Sequence, residues 1–394
     1  MSTGSMESGP VVVAKNEVAA AGVVGVAFGG SVAGVDLGLP IGTLIGDKYR
    51  VERVLGAGAT GIVLAARHAK LDELVAVKCI RAATPWSSDV LARFAREAKT
   101  CARLRSEHIA KVIDVGVSPA VGPFMVMEYL EGEDLATVLR RRGPLPVSRA
   151  VDYAMQVCEA LSVAHVADVT HRDLKPANLF LTRQGDWEII KVLDFGISQA
   201  HPRAFGGELW VEEPQSVMGA PLYLSPEQLR SPREADHRSD LWSLGVVLFE
   251  LLTGHPAFTG DTMAQAGARV LSAAAPRLDD HCGAASPGLS EVIERCLAKE
   301  PAQRFQSAAE LANALLRFAP ARARLHAERA TAVLLAADAN ADEPLPSTRP
   351  DGHAARFRES SLGTAAAELG VCESRSPESN RALLLLLGLG SGRA

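Results

Sequence analysis

The sequence lacks several features that would point to common classes of function. Its six cysteines, at positions 79, 101, 158, 282, 296 and 372, never approach the CxxC spacing of a zinc or redox site. Scattered thiols of this kind suit a reducing compartment. There is no excess of basic charge either: a net charge of -5 and a pI near 6.1 leave no electrostatic footprint for nucleic acid. Long apolar runs are missing in the form a bilayer needs. Residues 18–35 are uncharged, but Ala, Gly and Val dominate them in place of Leu, Ile and Phe, so insertion would be weakly driven. Lys15 alone makes a poor basic region for a signal peptide, and the apolar run 383–389 is far too short to span. The expectation is a soluble, cytoplasmic chain without membrane contact.

What is present supports a packed core. Of 394 residues, 47% are hydrophobic, enough for one large domain or two ordinary ones. Residues 1–44 are rich in small side chains without helical or alternating period and read as a flexible leader. The pattern changes at Tyr49. Tyr49-Arg50-Val51-Glu52-Arg53-Val54-Leu55 alternates as a half-buried strand and runs into Gly56, Gly58 and Gly61, with Ile62-Val63-Leu64-Ala65 following as a second strand. A GxGxxG pattern alone is weak. Flanked by strands on both sides, it differs from the dinucleotide-binding form, whose glycines open a helix. Glycines here let backbone amides approach phosphate oxygens with no side chain between.

Next comes the strand Leu74-Val75-Ala76-Val77-Lys78-Cys79-Ile80. Alternation puts Lys78 on the face of Ala76 and Ile80, where an unpaired cation is costly unless it snorkels to an edge. The following helix offers a partner. Val90, Phe94, Glu97, Cys101 and Leu104 share one face after the capping groups Ser87, Ser88 and Asp89, and Glu97 is the only charge on that face. A carboxylate within an apolar stripe calls for pairing, and Lys78–Glu97 is the expected pair.

Phe124-Met125-Val126-Met127-Glu128-Tyr129-Leu130 is a further strand, leading into the polar turn Glu131-Gly132-Glu133-Asp134. A buried helix over residues 150–164, with Tyr153, Val157, Leu161 and Ala164 on one face, delivers the chain to the stretch around which the rest is organised. That stretch is His171-Arg172-Asp173-Leu174-Lys175-Pro176-Ala177-Asn178. Pro176 ends any helix and holds Lys175 extended, so Asp173, Lys175 and Asn178 gather on one loop. Standing alone, such a loop reads as a set of capping residues. It does not stand alone. Residues 179–182 and 189–193 flank Gln184-Gly185-Asp186 as a hairpin whose open end brings Asn178 close to Asp194 of Asp194-Phe195-Gly196. Two such oxygen ligands suit magnesium, which takes few protein ligands and completes its shell with water and phosphate.

In this order the motifs resemble the eukaryotic-like (Hanks-type) serine/threonine protein kinases of bacteria: glycine loop, strand lysine, HRD loop, DFG, and the proline-glutamate segment Ser225-Pro226-Glu227. The resemblance covers residues 49–318 and implies an α+β, two-lobed protein kinase fold, with a β-rich N-lobe (49–130) and a helical C-lobe (131–318). Residues 319–394 remain as an Ala/Arg/Ser-rich, largely disordered tail with one helix around 321–337. The resemblance further implies ATP and Mg2+ as cofactors and protein Ser/Thr hydroxyls as acceptors, the chain itself included. It assigns Leu55, Gly56, Gly58, Gly61, Val63, Ala76, Lys78, Glu128 and Leu130 to the nucleotide, with Met127 behind the pocket. Asn178 and Asp194 fall to the metal, and Asp173, Lys175, Lys78 and Glu97 to catalysis. It pairs Glu227 with Arg304 and makes Asp240, at the start of an apolar helix, the tether of the HRD loop; that residue also reads as a plain N-cap.

Two departures stand out. Ala220 occupies a position where serine/threonine kinases usually carry Thr, which leaves a nucleotide-binding scaffold with little catalysis as the alternative function. Residues 194–227 contain no Thr, and Ser198 and Ser216 are the hydroxyls before Ala220. Glu208, Glu212 and Glu213 then offer built-in negative charge for Arg172, or simply a solvated acidic loop.

Overall fold

The computed structural model describes residues 40–341, apart from 59–60, 81–87, 196–220, 233 and 283–287. Residues 1–39 of the expected leader, Gly196, Ser198, Glu208, Glu212, Glu213, Ser216, Ala220 and residues 342–394 therefore lie outside the described residues, whereas 40–44, the end of that leader, are bonded to β2 through Gly42, Thr43 and Leu44.

The first half is a twisted antiparallel sheet. Its strands are β1 (Leu44–Ile45), β2 (Tyr49–Gly58), β3 (Gly61–His68), β4 (Leu74–Ile80), β5 (Val112–Ser118) and β6 (Gly122–Glu128), in the order β1-β2-β3-β4-β6-β5. Alternation in β2 buries Tyr49, Val51 and Leu55 as expected, whereas central β4 is buried on both faces from Val75 to Ile80. Helix α1 (Ser88–Cys101) lays Phe94, Ala98 and Cys101 towards this sheet. Leu104 packs from beyond its end.

The polar turn after β6 holds more structure than its sequence suggests. Gly132–Asp134 is a short strand, β7, paired with β8 (Leu179–Gln184), and β8 pairs with β9 (Trp187–Val192) through a tight turn at Gly185-Asp186. Gly132 has φ 144°, and a Cβ there would sit 2.0 Å from the Leu181 carbonyl oxygen, so only glycine allows this approach. Asp134 then caps α2 (Leu135–Arg142) by accepting from the Thr137 amide.

The second half is helical. α3 (Val147–Val166) is buried around almost its whole circumference. Around it and beyond follow α4 (Pro226–Arg230), α5 (Arg238–Thr253), α6 (Met263–Ser272), α7 (Asp279–Cys282), α8 (Leu289–Cys296), α9 (Ala308–Leu315) and α10 (Arg324–Ala341). Tyr153, Trp242, Phe249 and Phe305 are at most 2% exposed in the common core. The helix expected over 321–337 is α10, three residues later in starting. It packs along α3 with Ala327 and Ala330 buried, and Ala323 is buried just ahead of it, so the chain stays ordered well past the expected boundary at Phe318. Among the described residues, no helix is long and apolar enough to cross a membrane.

Candidate active site

The glycine loop is a hairpin, with Gly58 opposite Gly61 across β2 and β3. Gly61 has φ 145°, and a Cβ there would lie 2.1 Å from the Cys79 carbonyl oxygen, so this residue can only be glycine. Beneath the hairpin Leu55, Ala65 and Ala76 form one buried apolar cluster, joined by Val63 and Tyr129. Leu130 packs on a second cluster of Ala110, Phe180 and Leu193. Four nucleotide-pocket positions expected from the sequence, Leu55, Val63, Ala76 and Leu130, thus line two apolar groups that the sheet and the β8–β9 hairpin supply. Glu128 carries a tether that sequence reasoning missed. Its Oε1 accepts from Lys191 Nζ at 2.9 Å and from the Lys111 amide at 2.8 Å, locking the end of β6 to β9. Lys191 sits on an alternating strand, and nothing in its spacing pointed to Glu128. Met127 borders a small cavity with Cys101, Met125, Val192, Asp194 and Phe195.

Lys78 is 5% exposed, and its ammonium lies 2.7 Å from Asp194 Oδ2. This corrects the expected Lys78–Glu97 pair. Asp194 adopts φ 62° at the end of β9, and that left-handed turn sets its carboxylate against β4. A buried lysine takes the carboxylate delivered to it. Glu97, half-buried on α1, and Asp194 both act on the Cys101 thiol, which burial first of all pushes up to about 12. Cys101 also donates from Sγ to the Phe195 carbonyl at 3.0 Å and so fastens the end of α1 to the DFG segment. Burial raises the Asp194 carboxyl, but Lys78, then His171 and Lys175, outweigh it and hold the group below the ordinary carboxylate value.

The catalytic loop is cross-braced. Lys175 Nζ donates to Asp173 Oδ2 at 2.7 Å. Asn178 Nδ2 donates to the Asp173 carbonyl at 2.7 Å and to Oδ2 at 3.1 Å. The three polar groups gathered by the sequence do converge. His171 is fully buried; its Nε2 donates to the Leu193 carbonyl at 2.7 Å, and its ring meets Phe195 edge-on at 4.8 Å. The Leu193 amide donates to the Asn178 carbonyl at 2.9 Å, extending the hairpin by one rung. Asn178 and Asp194 consequently stand at its open end. With both amide hydrogens of Asn178 committed to Asp173, its oxygen and the partly exposed Asp194 carboxylate form a hard, two-oxygen donor set that fits magnesium.

Asp240 lies inside the first turn of α5, which starts at Arg238, so it is no N-cap. Its carboxylate is fully buried and accepts from the backbone amides of His171 and Arg172, each at 2.8 Å, and from His165 Nε2 at 2.8 Å. Burial alone would raise this carboxyl; His165 first and then His171 reverse the shift and keep it low. Arg172 holds φ 66°, and Gln228 donates to its carbonyl at 2.8 Å. Gln228 belongs to a capping box with the buried Ser225, so this serine is occupied as a helix cap. Glu227 meets Arg304 through two parallel contacts of 2.7 Å. Arg304 is fully buried and also donates to the carbonyls of Ala298, Arg238 and Lys299.

A β-rich lobe bearing a glycine hairpin and a buried lysine, placed with a loop Asp-Lys-Asn set and a strand-end Asp, is the arrangement of one family. A family model described as protein kinase domain matches residues 49–316. The chain belongs to the protein kinase family. It is 39% identical over 273 residues to serine/threonine-protein kinase pkn3 of Myxococcus xanthus, covering 68% of this chain and 49% of that protein. Serine/threonine-protein kinase PknB of Mycobacterium leprae is 37% identical over 277 residues, or 69% of this chain and 43% of its own. The chain thus spans about half the length of such relatives, or less. The crystal structure of the Mycobacterium tuberculosis PknI kinase domain superposes with a TM-score of 0.55 at 28% identity, covering 71% of this chain and 99% of that one.

Proposed function

We propose that this kinase transfers the γ-phosphate of Mg-ATP to serine or threonine hydroxyls of proteins, itself included, in bacterial cytoplasmic signalling. The observation that carries the reading is the convergence of Asp173, Lys175 and Asn178 on one braced loop beside Asp194 and Lys78. In this scheme Asn178 and Asp194 would hold magnesium, which shields the charge between phosphates. Lys78 leaves Asp194 for the phosphates or for Glu97, the exchange its single contact permits. Asp173 orients the acceptor hydroxyl and takes its proton, while Lys175 stabilises the transferring group. Most of the acceleration then comes from positioning and fixed charge.

Ala220 favours a second reading, a nucleotide-binding scaffold. Transfer of labelled γ-phosphate to the chain itself and to a generic basic protein separates the two. Kinase activity is expected, reduced by about 10²–10⁴-fold in Asp173→Asn. Tight ATP binding without transfer, restored by Ala220→Thr, would establish the scaffold reading.

A further inference from the structure

Away from the active site, three elements bring together a ligand set that phosphoryl transfer does not use. His108 lies in the segment between α1 and β5, Glu159 on α3 and His326 on α10. Their side chains are 2%, 8% and 15% exposed, and one ligand atom from each lies within 4.8 Å of the other two.

The hydrogen bonding of His108 shows what this set requires. Nδ1 lies 3.0 Å from the Ile190 carbonyl oxygen. A carbonyl can only accept, so Nδ1 carries the hydrogen. In the neutral ring Nε2 is then a bare lone pair. It is buried, has no hydrogen-bond partner among the described residues, and faces Glu159 Oε2 at 3.5 Å. The same oxygen lies 2.7 Å from His326 Nδ1. A lone pair facing a carboxylate needs positive charge between them. An imidazole whose second nitrogen is fixed by a backbone carbonyl is the usual arrangement of a metal-bound histidine.

We propose that His108 Nε2, Glu159 Oε2 and His326 Nδ1 form a site for a divalent cation of the zinc class. Tetrahedral zinc with donors at about 2.0–2.1 Å needs them roughly 3.4 Å apart. The 3.5 Å separation of His108 and Glu159 already meets this, and the 2.7 Å contact of His326 has to open by less than about 1 Å. Two imidazoles and one carboxylate leave a fourth position for water. Charged neighbours do not close the site. Arg329 approaches the other carboxylate oxygen, Oε1, at 3.5 Å and also pairs with Glu107, whose own Oε1 is 4.0 Å from His108 Nε2.

The consequence is mechanical. His326 lies beyond the matched kinase domain, which ends at residue 316. Metal binding joins α10 to α3 and to the His108 segment. That segment is bonded to β9 on both sides of Val192, through the His108 carbonyl at 2.8 Å and the Ala110 amide at 3.0 Å. Asp194 follows two residues later. The cation would therefore staple the segment after the kinase domain to the strand that carries Asp194.

The test uses the purified full chain without a histidine tag, stripped by chelator and titrated with Zn2+ against a chromophoric competitor. One equivalent is expected, with a rise in melting temperature of roughly 5 °C at a hundredfold excess over Kd. His326→Ala and the volume-conserving His326→Asn should both lose that equivalent and the shift, while still melting cooperatively. Co2+ should give the visible absorption of a tetrahedral site, and Mg2+ no shift at this locus. Absence of a stoichiometric equivalent, or an equivalent that survives both His326 substitutions, would overturn the site and leave a proton shared between His108 and Glu159.

Discussion

Two pairs of a buried basic side chain and a carboxylate among the described residues, Lys78–Asp194 and Arg304–Glu227, are built differently. Arg304 is saturated: two contacts of 2.7 Å to Glu227 and further donations to the carbonyls of Ala298, Arg238 and Lys299. Glu227 also accepts from Ser239 at 2.7 Å. Lys78 makes one contact, to a carboxylate that is 27% exposed. Neither pair is distinguished by distance. Saturation separates them: a guanidinium with every donor engaged cannot leave without orphaning several buried groups, whereas a lysine on one contact can change partner at small cost. The first is a weld, the second a switchable contact suited to phosphate.

Breaking the weld should have the largest effect on stability. Glu227→Ala leaves Arg304 buried without its carboxylate, which costs about 3–5 kcal/mol. A fall in melting temperature of roughly 10 °C is expected by calorimetry, and a fall within 2 °C would mean that the saturated pair is not structural. Asp240→Asn comes next. It keeps the shape but removes the charge that holds the His171 and Arg172 amides, at about 1.5–3 kcal/mol. Transfer should slow more than melting suggests, because the loop bearing Asp173 loses its anchor. Equal melting and equal rate would show the tether to be dispensable.

Acid should find the same anchors. Glu227 and Asp240 are both held below their ordinary values, against the upward push of burial, by Arg304 and by His165 respectively. A carboxyl lowered in the folded state stabilises fully above its unfolded value and loses that contribution as pH falls through the folded one. Melting temperature should therefore stay level from neutral pH to about 5 and drop below about 4. In Asp240→Asn the drop should be shallower; an unchanged slope would remove Asp240 from the set of acid-sensitive groups.

Much of this arrangement was legible in the chain. The β8–β9 hairpin follows from Gln184-Gly185-Asp186 between apolar runs, and with it the meeting of Asn178 and Asp194. Glu227–Arg304 followed from the resemblance. The partner of Lys78 was not legible, because two carboxylates compete and the left-handed turn at Asp194 decides between them in three dimensions. The α1 stripe correctly named Cys101 but could not say that its thiol meets Phe195. For Asp240 the resemblance named the tether of the HRD loop, whereas its own position in the sequence read equally as a helix cap, because its partners lie 68 and 69 residues away. The packing of α10 was hidden by its alanines: Ala327 and Ala330 bury a face that carries little hydrophobic contrast.

The smallest stability effect is expected at Lys78→Met, a volume-conserving change at a single contact, worth about 1 kcal/mol or less once the part-exposed Asp194 regains water. On that folded variant the decisive measurement is the rate of γ-phosphate transfer from Mg-ATP. A loss of about 10²–10³-fold is expected, with melting near that of the unsubstituted chain. Transfer at the unsubstituted rate would contradict the assignment of Lys78–Asp194 as the working pair.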